Sequence, residues 1–143
     1  MALSLSLAVH VTDEALTNFL SVYNPTAQAI RNRLPFLPLP IFTFEGWLGD
    51  LIFAVLVLLA LSPFAFRGVR WMIPFAYFFG FAMFMNGMGH AVGSIYLRRW
   101  MPGVYSSPLL LAASLHLLLR ARQLAGKPPA IPVERMGSPV VFP

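Results

Sequence analysis

The longest stretch without a charged residue restricts the fold of this chain more than any other feature. Residues 71–97 contain no Asp, Glu, Lys or Arg, and two arginines lie close to each end. At a rise of about 1.5 Å per residue, a helix of this length is about 40 Å long and exceeds the roughly 30 Å hydrocarbon core of a bilayer. Only 10% of the chain is charged and 58% is hydrophobic, whereas roughly 25% of an average soluble domain is charged. The chain is therefore predicted to be an integral membrane protein.

Three other apolar blocks predict further helices. The first of them also fits a helix lying at the membrane surface, because polar residues crowd its second half. Residues 124–143 have repeated prolines and no helical period, and we expect this tail to be extended or disordered. The fold class predicted for residues 1–123 is an all-α membrane bundle of four transmembrane helices, at about 3–23, 41–66, 71–97 and 104–122.

The segment between the first two predicted helices is broken by proline. Asn24-Pro25 is predicted to end the first helix, and residues 24–40 are predicted to form a linker on the membrane surface. Four spans place both termini on one side of the membrane, together with six of the ten basic residues. This positive bias predicts cytoplasmic termini in the cytoplasmic (inner) membrane.

Charge and cysteine content exclude several function classes. The net charge is +5, but the basic residues form small groups between apolar blocks. Such groups are typical of membrane-face anchors, so membrane lipid is the expected partner and nucleic acid is not. The chain has no cysteine, which excludes disulfides, thiolate metal sites and thiol nucleophiles.

Polar residues inside the apolar blocks are few. Charged groups are costly at the bilayer centre and often mark function. His10 and Glu14 are four residues apart, as are Asn86 and His90, so each pair lies on one helix face. Depths counted from the helix ends place both pairs in one layer with Asp50, and His116 at its margin. Glu45 is expected to be solvated at the membrane face.

Two imidazoles and one or two carboxylates that meet in a dry bundle are the ingredients of a metal site. Neutral imidazole and carboxylate oxygen together suit zinc, iron or manganese. Helix bundles commonly build such sites from Glu and His on facing helices. A metal ion would also neutralise buried carboxylates, which are otherwise unfavourable in an apolar interior. The expected cofactor is therefore a divalent metal ion.

Three short motifs in order give the chain a family resemblance. They are His10-Val-Thr-Asp13-Glu14, then Asn86-Gly-Met-Gly-His90, and then a segment from Arg98 that contains Pro102-Gly103 and ends at Ser106. In order and spacing the chain resembles the HXXEE-domain proteins, a family described as small integral membrane proteins. The chain has Asp13 where the family name has Glu, Trp100 where Tyr is expected and Ser106 where Thr is expected. The resemblance implies a membrane protein with a polar intramembrane cluster, and it supplies no reaction.

The leading hypothesis is a metal-dependent membrane enzyme that acts on a lipid or another hydrophobic small molecule. Its predicted metal ligands are His10, Glu14 and His90. Asp13 is expected to be a further ligand or a base, Asn86 an orienting group and Ser106 a hydrogen-bond donor at the pocket rim. The predicted catalytic residues are Asp13, Glu14, Asn86 and Ser106. Two alternatives remain open: a small-molecule, ion or proton binding or transport module, and a structural membrane subunit without chemistry.

Overall fold

The structure, a computed structural model, describes residues 1–126 of the chain. This part contains five helices. The all-α prediction is confirmed. The last three helices begin and end within about three residues of their predicted bounds. Of the tail predicted over residues 124–143, residues 127–143 lie outside the described residues. The helices are α1 (Ala2–Leu16), α2 (Leu20–Arg33), α3 (Phe44–Phe66), α4 (Met72–Leu97) and α5 (Ser107–Ala125).

The first predicted helix is divided in two, so the prediction of one helix over residues 3–23 is wrong. α1 ends at Leu16, and Asn18 adopts a φ of 57° between α1 and α2. This left-handed conformation is one that Asn tolerates better than most residues, and it ends a helix. Apolar periodicity continues through this break, which is why the pattern alone did not show it.

The linker predicted over residues 24–40 is also wrong in its first part, because α2 continues through Pro25 to Arg33. Pro25 removes one backbone hydrogen bond, which disfavours a helix but does not forbid it. The Asn24 side chain binds the backbone of Phe42 twice, donating to its carbonyl at 2.9 Å and accepting from its N–H at 3.2 Å. This pair fixes α2 to the segment that precedes α3.

α1, α3, α4 and α5 form an antiparallel bundle. At one end the Met1 ammonium donates to Ser62, near the end of α3. At the other end the ring of Phe19 lies 5.9 Å from that of Trp47, near the start of α3. Along α4, a Cβ atom added at Gly80 or Gly87 would lie 2.9 Å from a leucine side chain of α5. These glycines therefore let α4 and α5 approach closely.

The core lies where α1 and α5 meet. Leu3, Leu7 and Val11 of α1 pack with Leu110 and Ala113 of α5, and partly buried residues of α3 and α4 surround them. These α1 positions recur every four residues and so share the helix face that also carries His10 and Glu14. The same packing that buries the apolar residues therefore carries the polar pair into the interior.

Candidate metal centre

Three ionisable side chains meet in the interior of the bundle. His10 and Glu14 project from consecutive turns of α1, and His90 reaches them from α4. The exposed fractions are 0% for His10, 4% for Glu14 and 3% for His90. Nε2 of His90 lies 2.9 Å from Oε1 of Glu14, and Nε2 of His10 lies 3.5 Å from the same oxygen. One ligand atom from each of the three residues lies within 4.8 Å of the others.

A second chain of contacts fixes the orientation of His10. The Ser106 hydroxyl lies 2.7 Å from Oδ2 of Asp13, 3.2 Å from the Gly103 carbonyl and 2.8 Å from Nδ1 of His10. The carboxylate is the closer and charged acceptor, so the hydroxyl donates its proton to Asp13. Since a hydroxyl has one proton, Ser106 must accept from Nδ1 of His10. The backbone N–H of Ser106 also donates to Asp13, at 2.9 Å.

The consequence is a defined tautomer of His10. With the proton on Nδ1, a neutral imidazole presents its Nε2 lone pair to the Glu14 carboxylate. In that tautomer two electron-rich atoms face each other across 3.5 Å, and both side chains are buried. The amide of Asn86 lies 3.3 Å from Nε2 of His10 and can donate to it. A cation between His10 and Glu14 would satisfy both atoms more completely.

His90 is held differently. Its Nε2 faces Glu14, whereas its Nδ1 has no hydrogen-bond partner. Within residues 1–126, this is the one buried side-chain nitrogen or oxygen without such a partner. A Cβ added at Gly103 would lie 3.0 Å from this Nδ1 and 2.8 Å from Cγ of Glu14. Gly103 has a φ of +83°, which side chains rarely adopt. Glycine is therefore required where the loop after α4 covers His90 and Glu14.

Two hydroxyl residues that sequence reasoning missed hold this loop in place. Thr17 accepts from the Gly103 backbone N–H at 3.3 Å. Ser94 accepts from the Met101 N–H at 2.9 Å and donates to the His90 carbonyl at 2.7 Å. The available signal was spacing, because Thr17 lies four residues after Asp13 and Ser94 lies four residues after His90.

The structure brings together six of the residues singled out from the sequence and leaves others outside. Asp13 is half-buried and its Oδ2 contacts Ser106 rather than the three ligand atoms, so it is placed to orient His10. Asp50 is exposed and is not part of the cluster, because depth along a helix does not determine which face a residue occupies. Asn18, Glu45 and His116 are exposed as well.

A lateral cavity reaches the cluster from the side of α2. It has a volume of about 340 Å³ and is lined mainly by apolar residues of α2 and α4. Met85, Asn86, Gly89 and His90 form the part of its wall that belongs to α4. Binding sites for small apolar molecules commonly combine such a lining with a few polar groups.

The chain was compared with known proteins. Residues 1–117 match the model of a family described as "Protein of unknown function with HXXEE motif". Comparison with curated proteins and with solved structures finds no match. The family match covers the motifs that meet in the cluster and assigns no activity to them.

Proposed function

We propose that this chain, which belongs to the HXXEE-motif family, is an integral membrane protein that binds a divalent metal ion through His10, Glu14 and His90 and acts on a lipid or another hydrophobic small molecule. The observation that carries the proposal is the convergence of the three buried ligand atoms within 4.8 Å. The defined tautomer of His10 adds to it, because a lone pair aimed at a carboxylate favours a cation between them.

The apolar surface supports the membrane location. α3 and α4 are long and apolar enough to cross a membrane. In their most apolar parts only 6% of the residues of α3 and 17% of those of α4 are buried. The core helix of a soluble protein would instead be mostly buried. The proposed orientation, with cytoplasmic termini, rests on the positive bias of the sequence.

The donor set fits zinc, iron or manganese. In a tetrahedral site with bonds of about 2.1 Å, neighbouring donors lie about 3.4 Å apart. The separations from Glu14 to His90 and to His10, 2.9 and 3.5 Å, bracket that value, and all three ligand atoms lie within 4.8 Å of one another. Two imidazole nitrogens and one carboxylate oxygen form a three-ligand set, which leaves a position for water or substrate. A metal ion bound there would polarise a carbonyl group or lower the pKa of a bound water.

The surrounding residues give the site its further functions in this proposal. Asp13 and Ser106 hold His10 in the tautomer that a metal ligand needs, an arrangement that commonly supports ligating histidines. Asn86 and His90 border the lateral cavity, so a hydrophobic substrate that enters between α2 and α4 would meet the polar cluster at its inner wall. Gly103 and its loop cover Glu14 and His90.

Metal analysis of the full chain tests this proposal. The protein is purified in detergent without chelator, and bound metal is measured by mass spectrometry for the wild type, His10→Ala and His90→Ala. His116→Ala is the matched control, because it removes an exposed histidine outside the cluster. We expect close to one metal ion per wild-type and control chain and a loss of metal in both cluster variants. Metal content near zero in folded wild type, unchanged after incubation with zinc, iron or manganese salts, would refute the metal centre.

The contacts also favour a second function, a proton or cation binding module without covalent chemistry. One carboxylate oxygen of Glu14 faces two imidazoles, and such groups form proton relays in membranes. This function predicts flux in proteoliposomes that Glu14→Gln abolishes, with no chemical product. Sustained turnover of a lipid substrate by the wild type would contradict it.

A further inference from the structure

A second cavity lies at the end of the bundle opposite the metal centre. It has a volume of about 480 Å³, and the start of α1, the end of α3, the start of α4 and the end of α5 line it. It shares no lining residue with the lateral cavity beside His90. The buried side chains of Leu7 and Leu110 lie between this end and the cluster along α1 and α5. The two cavities are therefore separate sites.

The second cavity is apolar inside and polar at its rim. Buried residues, among them Leu3, Met72 and Ala113, form its inner wall. Its rim includes exposed residues of α5, in particular Arg120 and Gln123. The Arg120 guanidinium lies 3.4 Å from the Gln123 side-chain oxygen and remains exposed at the mouth. A ligand that fits must pair a long apolar part with a polar end.

The charge around the mouth selects an anion. Among residues 1–126, no Asp or Glu lines this cavity. The acids within residues 1–126 lie near the end of α1 or the start of α3, which is the other end of the bundle. Four arginines lie near the ends of α3 and α5 and the start of α4. An arginine binds carboxylate or phosphate groups through paired N–H donors. These arginines are Arg67, Arg70, Arg120 and Arg122, and among residues 1–126 Arg120 is the one that lines the cavity.

We infer that the second cavity binds a single-chain anionic amphiphile, that is, a long acyl chain that ends in a carboxylate or phosphate group. The acyl chain would lie against the apolar wall, and the anionic group would lie beside Arg120. The volume falls within the roughly 300–1,000 Å³ typical of small-molecule sites. This inference does not depend on the metal centre, and it assigns to the chain a lipid site about which the family match is silent.

Titration calorimetry of the full chain in nonionic detergent tests the inference, with dodecanoate and dodecyl phosphate as anionic probes and dodecyltrimethylammonium as the cationic probe. We expect saturable binding of the two anionic probes and at least tenfold weaker binding of the cationic one. Arg120→Gln should raise the Kd for dodecanoate about tenfold, as expected for the loss of one charge-assisted contact. Arg122→Gln is the matched control, because Arg122 is exposed on the same helix and does not line the cavity.

A second variant tests the apolar part independently. Ala76→Leu adds side-chain volume to the cavity wall and should abolish binding of dodecanoate while metal content stays unchanged. Equal binding of the anionic and cationic probes, an Arg122→Gln effect as large as that of Arg120→Gln, or undiminished binding in Ala76→Leu would each overturn the inference. Preference for dodecanoate or for dodecyl phosphate identifies which anionic group the site accepts. One further result would also overturn the inference. If wild type that retains residues 127–143 shows no saturable binding, and removal of this tail restores binding, the tail occupies the cavity.

Discussion

Removal of the Ser106 hydroxyl is the most informative perturbation of the proposed metal centre. In Ser106→Ala, Asp13 keeps the backbone N–H contact at 2.9 Å but loses the hydroxyl contact at 2.7 Å. Nδ1 of His10 loses its partner at 2.8 Å in a residue with 0% exposure. A buried donor left without a partner costs about 1–3 kcal/mol. The imidazole proton is then free to move to Nε2, the atom that a metal ion needs unprotonated.

We therefore expect a loss of metal affinity in Ser106→Ala, without removal of any ligand. Supporting groups of this kind are typically worth about 10- to 100-fold in metal affinity. The affinity is measured by competition with a chromophoric chelator in detergent. The tautomer of His10 is measured separately by nitrogen-15 NMR of the metal-free protein, where the wild type should show the proton on Nδ1.

Two matched variants make the result specific. Ser107 is the neighbouring residue, is 1% exposed and donates to the Gly103 carbonyl at 2.8 Å. Ser107→Ala should lower the free energy of unfolding by about 1 kcal/mol and leave the metal affinity unchanged. Ser106→Thr keeps a hydroxyl and should retain most of the affinity. Equal affinities of Ser106→Ala and wild type, or an Nε2 proton in the wild type, would refute the proposed orientation of His10 by Asp13 and Ser106.

Three further changes test the fold around the site. Gly103→Ala brings a Cβ atom into contact with Glu14 and His90 and imposes a positive φ on alanine. We expect it to lower the free energy of unfolding by at least about 2 kcal/mol and to abolish metal binding. Normal metal content would contradict the loop geometry. Leu110→Ala leaves a cavity at a fully buried position and should cost about 2–5 kcal/mol in detergent denaturation, while the metal per folded chain stays at the wild-type value. Asn24→Ala removes both contacts with Phe42 and should speed hydrogen exchange of the Phe42 amide; unchanged exchange would show that α2 is held by other contacts.

The convergence of His10, Glu14 and His90 was predictable because it rests on two simple regularities. Spacing of four residues aligns side chains on one helix face, and depth from the helix ends brings two parallel helices, α1 and α4, into register. Depth follows from the sequence where a helix is regular between the residue and its end; this condition fails for the first predicted helix, which breaks at Asn18, and holds for α4. α4 is one uninterrupted helix from Met72 to Leu97, so the depth of His90 followed from its position in the sequence.

The sequence could not predict the partner of Asp13, the exposure of Asp50 or the extent of α2. Asp13 is adjacent to Glu14, but successive residues of a helix point about 100° apart, so its partner is Ser106 rather than the ligand atoms. The rotation of α3 about its own axis depends on packing with its neighbours, and this rotation leaves Asp50 exposed. The break at Asn18 and the passage of α2 through Pro25 depend on tertiary contacts, such as that between Asn24 and Phe42, that override local propensity.

The order of the cluster residues along the chain has a consequence for biosynthesis. Glu14 leaves the ribosome early, whereas His90 follows two intervening helices and the Gly103 loop follows later still. Until α4 is inserted, the only imidazole near the Glu14 carboxylate is that of His10, and Ser106 is not yet present to set its tautomer. Completion of the cluster is therefore a late event in assembly, because the contact between His90 and Glu14 forms only when α4 is in place.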